Sequence, residues 1–188
     1  MTTETIISVF LGIGLAASVG FRVFLPLFVL SLASYFSIWE LNDSWQWIGS
    51  ITALIILGVA TLVEIFAYYI PYVDNLLDSV AVPLAAIAGT AVMVSTVANL
   101  SPEITWTLAI IAGGGTAAVI SGASGATRLA STATTAGIGN PVVSTIETGT
   151  ALLTSVVTIF LPIVGFVLVL IIVFIIFKIF KKIKRTST

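Results

Sequence analysis

The stretch TGTALLTSVVTIFLPIVGFVLVLIIVFIIF, residues 148–177, contains no charged side chain. A helix needs only about 20 apolar residues to cross the hydrocarbon core of a bilayer. The rest of the chain is similar in character, since 59% of its 188 residues are hydrophobic, 8% are charged and its mean hydropathy is +1.21. Soluble domains carry roughly a quarter charged residues. The composition therefore predicts an all-α polytopic membrane protein, with residues 1–188 forming one membrane domain.

The chain contains neither cysteine nor histidine. Their absence removes the usual structural zinc sites, thiol chemistry and the commonest general base. Serine is plentiful, but the membrane region has no His or Lys to activate it as a nucleophile. The sequence therefore predicts that the protein is not an enzyme and has no catalytic residue, metal, cofactor or nucleic-acid partner.

Prolines, glycines and aromatic residues divide the chain into about six membrane segments. Residues 6–38 are too many for one span and too few for two at 1.5 Å per residue, which predicts a broken or re-entrant helix. Residues 47–68 predict one span, ending at Tyr68, Tyr69 and Tyr72 around Pro71. A short interfacial helix and a span over residues 80–98 follow.

The second half of the chain is rich in small residues, which let membrane helices approach closely. Residues 104–140 predict a helix, a break near residues 122–128 and a second short helix. Residues 141–177 are too long for one span, and Pro162 and Gly165 are the natural positions for a break.

Two stretches resemble each other, AASVGFR at residues 16–22 and GASGATR at residues 122–128. Ala17, Ser18 and Arg22 of the first correspond to Ala123, Ser124 and Arg128 of the second. We interpret residues 1–100 and 101–188 as two pseudo-repeats. If each half contains three spans, the halves insert in opposite orientations, which is the inverted-repeat plan of many transporters.

Arg22 and Arg128 are the basic residues that the prediction places inside the membrane, where one arginine costs about 2.5–3.5 kcal/mol on insertion scales. One explanation is pairing with a buried carboxylate or snorkelling to a headgroup. The other is that both guanidinium groups bind an anionic substrate, since their planar donors suit phosphate and carboxylate. The remaining predicted substrate-binding residues are Ser18, Gly20, Ser124, Gly125 and Thr127.

Four acidic residues are candidates for charge pairing with the arginines or for proton coupling: Glu64, Glu147, Asp74 and Asp78. Asp74 and Asp78 are four apart, so they share one face of the predicted interfacial helix. They could bind a cation, although an exposed amphipathic face explains them equally well.

The five other basic residues follow the last apolar run: Lys178, Lys181, Lys182, Lys184 and Arg185. The positive-inside rule places such a tail, and with it the C-terminus, in the cytoplasm. The tail is typical of a stop-transfer signal, and it could also contact anionic lipid headgroups.

Three parts of the sequence carry a resemblance: GLAASVGFRVFLPLFVLSLA (14–33), IPYVDNLLDSV (70–80) and the small-residue stretch ending in GNP (139–141). Together they resemble a bacterial membrane family described as a domain of unknown function, DUF4126. The resemblance implies a compact multi-pass protein of the inner (plasma) membrane and supplies no activity. Paired re-entrant segments with an arginine are also similar to DedA-type proteins, linked to polyprenyl-phosphate carriers, although the full DedA motif set is missing.

These features predict a small membrane transporter or lipid translocase with Arg22 and Arg128 as its anion site. Its partners would be membrane lipids, an anionic small molecule or phospholipid-like substrate, and further copies of the chain. Two alternatives stay open. One is an oligomeric channel lined by the Ser/Thr/Gly-rich residues 113–140, and the other is a non-transporting membrane scaffold.

Overall fold

The computed structural model describes residues 2–70 and 73–186, without the side chains of residues 179–180 and 183–186. Across these ranges the chain is helical and no strand occurs. The predicted Pro71 and Tyr72, and the side chains of Lys184 and Arg185, lie outside the described residues. The helices are α1 (Thr3–Phe21), α2 (Phe24–Tyr35), α3 (Ile51–Ala67), α4 (Val73–Thr96), α5 (Pro102–Leu108), α6 (Gly115–Thr135), α7 (Asn140–Phe160) and α8 (Pro162–Thr186).

Two irregular segments complete the fold. A 3-10 helix, Asp43–Gly49, precedes α3, and a π-helical turn, Ala109–Gly114, joins α5 to α6. Because of this turn, residues Pro102–Thr135 form one continuous 34-residue helical run.

Among the described residues, four helical runs are long and apolar enough to cross a membrane, namely α1, α4, the run Pro102–Thr135 and α7. The 3-10 helix and α3 add a fifth if this pair, bent by 63°, counts as one span. Helix α2 and the apolar part of α8 are shorter. The all-α membrane fold is thus confirmed. Length and composition give four or five candidate spans, so the predicted count of about six, give or take one, is not confirmed.

Helix α1 lies at the centre of the fold and contacts α4, α6, α7 and α8. Every residue from Gly14 to Gly20 is buried, so this part of the helix is enclosed on all sides. A helix that is apolar all round is expected in such an enclosed position.

Glycines bring α1, α4 and α6 into close contact. A Cβ atom at Gly89 of α4 would lie 2.6 Å from the Cβ of Ala117 and 2.8 Å from the carbonyl oxygen of Gly113. A Cβ atom at Gly20 of α1 would lie 2.6 Å from the Cβ of Ile120. This close backbone approach accounts for the glycines on the facing sides of the helices, whereas a Cβ atom at Gly115, Gly122 or Gly125 would meet no described atom within 4 Å.

Helices α1 and α6 run in the same direction, since both are antiparallel to α4. Gly12 of α1 packs against Met93, near the end of α4, whereas Asp78, near the start of α4, pairs with Arg128. Helices related by a two-fold axis in the membrane plane run in opposite directions. The two arginine-bearing stretches are therefore not related by inversion, and a division of the chain at residue 100 stays a prediction.

Two of the predicted breaks are confirmed. The first apolar run breaks at Arg22 and Val23, between α1 and α2. The last run breaks at Leu161, directly before Pro162. Proline fits the first turn of a helix, where its missing N–H would be unpaired in any case.

The predicted break near residues 122–128 is wrong, because α6 continues to Thr135 and ends where Ala136 and Gly137 adopt positive φ angles of 54° and 88°. Hydroxyl groups in this stretch bond back to the helix, as when the Thr127 Oγ1 donates to the Ala123 carbonyl at 2.9 Å. Where water is excluded, a helix satisfies its backbone groups internally. Small residues alone therefore do not interrupt it.

The predicted separate interfacial helix around Asp74 and Asp78 is also wrong. Both residues belong to the first turns of α4, which continues without interruption through Pro83 to Thr96. The prediction that Asp74 and Asp78 share one helix face is confirmed, and the helix is the membrane-length α4.

Candidate functional site

The guanidinium groups of Arg22 and Arg128 meet at one carboxylate. Arg22 Nη1 lies 3.2 Å from the Oε2 of Glu147, and Arg128 Nη2 forms an ion pair with the same oxygen. The Ser124 hydroxyl donates to the other carboxylate oxygen, Oε1. Arg22 and Arg128 are 1% and 3% exposed, so the cluster is almost completely enclosed. Of the two explanations offered for the buried arginines, the structure shows pairing with a buried carboxylate, whereas binding of an anionic substrate stays a prediction.

The aromatic ring of Tyr68 lies beneath both guanidinium groups. The ring centroid is 4.1 Å from the Cζ of Arg22 and 3.9 Å from the Cζ of Arg128. A ring face attracts a cation, and the attraction strengthens where water is excluded. Tyr68 thus holds two like charges close together.

Arg22 is positioned by the break after α1 and by α7. Its backbone N–H donates to the Ser18 carbonyl at 3.2 Å, and its extended conformation turns the side chain toward α7. There Nε donates to the Thr148 Oγ1 at 2.9 Å and Nη2 to the Ser144 carbonyl at 3.0 Å. These bonds lock the guanidinium group in one orientation.

Arg128 has a different set of partners. Its Nη1 donates to the Asp78 Oδ1 at 2.8 Å, which links α6 to α4. Its Nε is buried and finds no hydrogen-bond partner among the described residues. Arg128 therefore keeps one donor for which the fold offers no acceptor.

The cluster is electrically balanced when its groups are ionised. Two guanidinium groups face two carboxylates, Glu147 and Asp78, whose side chains are 6% and 20% exposed. Charges removed from water are tolerated when they are paired in this way, and removing one partner is strongly unfavourable.

Glu64 does not pair with either arginine, in contrast to one of the roles predicted for it. Its two carboxylate oxygens accept the backbone N–H groups of Val23 and Phe24, at 2.7 and 3.0 Å. These N–H groups begin α2, and the positive end of a helix favours an anion. Glu64 holds the broken segment in place.

Asp74 lies beside the cluster and joins three helices. Its Oδ2 accepts a hydrogen bond from the Asn140 amide at 2.9 Å, and the same amide donates to Thr132 at 3.0 Å. Within the described ranges no group of three or more acidic side chains could hold a metal ion. Asp78 pairs with Arg128 rather than with Asp74 around a shared cation.

Several predicted substrate-binding residues lie away from the cluster. The Ser18 hydroxyl donates to the Gly14 carbonyl at 3.1 Å, Gly20 packs against α6, and the exposed Thr127 bonds within its own helix. A Cβ atom at Gly125 would meet no described atom within 4 Å. The contacts of these four residues are with helices and not with the guanidinium groups, whereas Ser124 contacts Glu147 and belongs to the cluster.

Sequence reasoning missed Tyr68, Ser144 and Thr148 as parts of the cluster. Ser144, Glu147 and Thr148 share one face of α7, so their spacing was a usable signal. Tyr68 instead carried the pattern of an interfacial anchor, and its position under the arginines depends on how α3 packs.

Two cavities meet at Tyr68. One, of about 560 Å³, is an apolar groove between α3 and α4 with Val63, Leu77 and Leu84 in its walls. The other, of about 470 Å³, is more polar and is lined by Asp74 and Asn140 among others. Tyr68 therefore borders both cavities.

The cluster lies closer to one end of the helical bundle than to its middle. Glu147 follows the first residue of α7 by seven positions and precedes Phe160 by thirteen, which corresponds to about 10 and 20 Å along the helix axis. The cluster therefore lies within about two helical turns of the first residue of α7.

Membrane-length helices around a buried, charge-balanced cluster define the class of protein as polytopic, all-α and integral to the membrane. Within this class the chain belongs to the family described as a domain of unknown function, DUF4126, whose model matches residues 9–182. No curated protein and no solved structure matches the chain. The predicted family is thus confirmed, whereas its bacterial origin and the particular membrane stay predictions. Any activity must be argued from the cluster.

Proposed function

We propose that this protein is a small membrane transporter or lipid translocase whose anionic substrate binds Arg22 and Arg128 in place of the Glu147 carboxylate. The observation that carries the proposal is the convergence of both guanidinium groups on that single carboxylate, over one aromatic ring. Guanidinium groups bind carboxylate and phosphate through similar geometry. Glu147 thus occupies the position that a substrate anion would take.

The spare donor of Arg128 supports the same proposal. Its buried Nε lacks a partner among the described residues, and leaving a buried donor unpaired costs about 1–3 kcal/mol. A substrate with three acceptor oxygens could use this donor as well as the two that Glu147 now accepts. This additional hydrogen bond would form only when the substrate is bound.

The cavities beside Tyr68 offer routes for two kinds of substrate that share an anionic group. A small anion would enter through the polar cavity lined by Asp74 and Asn140. A phospholipid-like molecule would also use the apolar groove between α3 and α4 for an alkyl chain. Either route requires the Tyr68 side chain to move.

We also propose that the protein lies in the inner (plasma) membrane of the cell with its C-terminus in the cytoplasm. Arg22, Arg128 and the basic tail that ends α8 lie toward one end of the bundle. Glu4 and Glu103 lie at the other end, together with Asp43, since Glu4 contacts Asn99 and Asn42 contacts Val94. This asymmetry agrees with the positive-inside rule.

A second candidate function is a membrane scaffold without transport. The observation that favours it is that every ionised group of the cluster has an oppositely charged neighbour in this conformation. The oligomeric channel has less in its favour, because the inner face of α6 packs against α1 and α4. A channel would need several copies that meet at the outer face of α6.

The transport proposal can be tested in phosphatidylcholine vesicles that contain the purified protein. Uptake of radiolabelled methanesulfonate would report a small anion, and movement of fluorescent phosphatidylglycerol between leaflets would report a lipid. We expect one of these probes to move, and the Arg22→Gln/Glu147→Gln double variant to lower its rate at least about tenfold, as one lost charged contact implies.

The double variant is chosen because it removes one positive and one negative charge together. Arg128 and Asp78 stay paired, so the cluster stays neutral and folding should be retained. An unchanged rate in this folded variant would overturn the arginine site. Failure of both probes to move with the wild-type protein would favour the scaffold.

A further inference from the structure

We propose that each substrate anion binds together with a proton on the Glu147 carboxylate, so that the protein is an electroneutral anion–proton symporter. This inference rests on the proposed function and assigns the driving force of the same site. In the overall step, one anion and one proton leave the same compartment and are released together on the other side. The proton bonds to a Glu147 carboxylate oxygen and no other bond changes.

The charge balance of the cluster carries the inference. Arg22 and Arg128 are balanced by Glu147 and Asp78 in the structure. A monoanion that displaced an ionised Glu147 from both arginines would add one uncompensated negative charge to a buried site. An unpaired buried charge is strongly unfavourable, and a displaced acid avoids it by taking a proton.

The elements packed around Glu147 supply few other groups that could take the proton. Arg22 faces it from the end of α1, Tyr68 from the end of α3, Asp78 from α4, and Arg128 with Ser124 from α6. Helix α2 contains no charged residue, and α8 contains none before the exposed Lys178. Asp74 lies beside the cluster, but its two oxygens accept the Asn75 N–H and the Asn140 amide. Among the described residues, Asp78 is therefore the acid that competes with Glu147.

Glu147 is the better proton acceptor of the two acids for a geometric reason. Its carboxylate bridges both arginines and must leave them for a shared anion to bind, whereas Asp78 contacts Arg128 alone. Asp78 is also more exposed, at 20% against 6% for Glu147, so water can solvate its charge. Glu64 is excluded because both of its oxygens accept backbone N–H groups of α2.

Ser124 can remain bonded to Glu147 in both protonation states. Its hydroxyl donates to the Glu147 Oε1 in the structure. A hydroxyl can also accept a hydrogen bond, so a protonated carboxyl group could donate back to it. Ser124 would thus hold the neutral acid beside the substrate without a new buried polar group being left unpaired.

The test uses the wild-type protein in phosphatidylcholine vesicles that contain the pH dye pyranine. Methanesulfonate is the small-anion probe and phosphatidylglycerol is the lipid probe, since both remain monoanions near neutral pH and release no proton of their own. We expect acidification on the receiving side with about one proton per transported anion, as charge neutrality of the site requires. We also expect rates that do not respond to a potential imposed with potassium and valinomycin.

Glu147→Gln is the decisive variant, and Glu103→Gln is its matched control, because Glu103 is exposed at the far end of the bundle. The Glu147→Gln protein should move anions without protons and respond to the imposed potential, whereas Glu103→Gln should behave as the wild type. If Glu147→Gln fails to fold, the wild-type ratio of protons to anions decides alone. Anion movement without acidification overturns this inference and leaves the transport proposal standing, whereas no movement of either probe overturns both.

Discussion

Glu147 connects the two buried arginines and should therefore be important for stability at the scale of a single residue. We predict that Glu147→Ala lowers the free energy of unfolding in detergent micelles by about 3–5 kcal/mol, because one guanidinium group loses its carboxylate in a site closed to water. The measurement is equilibrium unfolding followed by tryptophan fluorescence. The exposed Glu103→Ala should change the same quantity by no more than about 0.5 kcal/mol. Equal effects of the two substitutions would contradict the role assigned to Glu147.

The ring of Tyr68 lies against both guanidinium groups and supports them. We predict that Tyr68→Leu destabilises the protein by about 2 kcal/mol or more, the value expected for desolvated cation–π contacts. Tyr68→Phe keeps the ring and should change stability by less than about 1 kcal/mol, the scale of one hydrogen bond. The same unfolding assay applies to both variants. If Phe and Leu were equally destabilising, the hydroxyl and not the ring would be the important group.

The two arginines and the carboxylate Glu147 could be predicted from sequence because charge is scarce in this chain, and each buried charge needs a partner. The choice of Glu147 over Glu64 could not be predicted. It depends on the break at Arg22, because the backbone N–H groups of the next two residues, Val23 and Phe24, donate hydrogen bonds to the Glu64 carboxylate. Tyr68 was missed for a related reason, since a tyrosine at a helix end fits an interfacial position equally well.

At the scale of helices, the close approach of α4 and α6 depends on glycines. We predict that Gly89→Ala destabilises the protein by about 1–3 kcal/mol, as overpacking typically does, because its new Cβ would lie 2.6 Å from the Cβ of Ala117. Gly122→Ala is the matched control, since a Cβ atom there would meet no described atom within 4 Å. That substitution should be neutral or stabilising by up to about 1 kcal/mol, because alanine favours a helix over glycine.

Equilibrium unfolding distinguishes these two glycines, and circular dichroism would show that both variants remain helical. A destabilising Gly122→Ala would indicate that the outer face of α6 packs against another molecule. Such a result would favour the oligomeric alternative. A neutral Gly89→Ala would show instead that the helices can separate slightly without loss of stability.

Helix breaks were predictable where a proline or an excess of length required them. Pro162 follows a run too long for one span, and the break occurs directly before it. The stretch around Gly122 misled the prediction because glycine and small polar residues end helices in water, where solvent competes for the backbone. In a bilayer that competition is absent, and the hydroxyl groups bond to their own helix.

At the scale of the whole molecule, the relative directions of the helices follow from the contacts rather than from hydropathy. Helix α7 is antiparallel to α1, since Gly14 lies against Thr158 while Arg22 reaches Ser144. The short helices α2 and α3 also lie antiparallel to each other, because Gly58 packs on Phe28 and Glu64 contacts Phe24. Length alone assigns four or five spans, but packing places the ends of the chain on opposite sides of the bundle.

This arrangement can be tested with single cysteine variants, because the natural chain has no cysteine. We predict that cysteines at Asp43 and Glu103 react with a membrane-impermeant maleimide from outside intact cells, since both positions lie at the acidic end. A cysteine at Ile138, which is 83% exposed at the opposite end, should react only after the membrane is permeabilised. Permeabilised cells, in which all three should react, are the control.

The pattern of labelling would distinguish a wrong fold from a correct fold that is inserted in the opposite orientation. Reaction of Glu103→Cys and Ile138→Cys from the same side would contradict the span Pro102–Thr135. Reaction of Asp43→Cys and Glu103→Cys from different sides would mean that α2 and α3 do not both run between the two ends. A complete exchange of inside and outside would leave the fold intact. It would place the basic tail outside the cytoplasm, against the positive-inside rule, and the buried cluster would then lie nearer to the exterior.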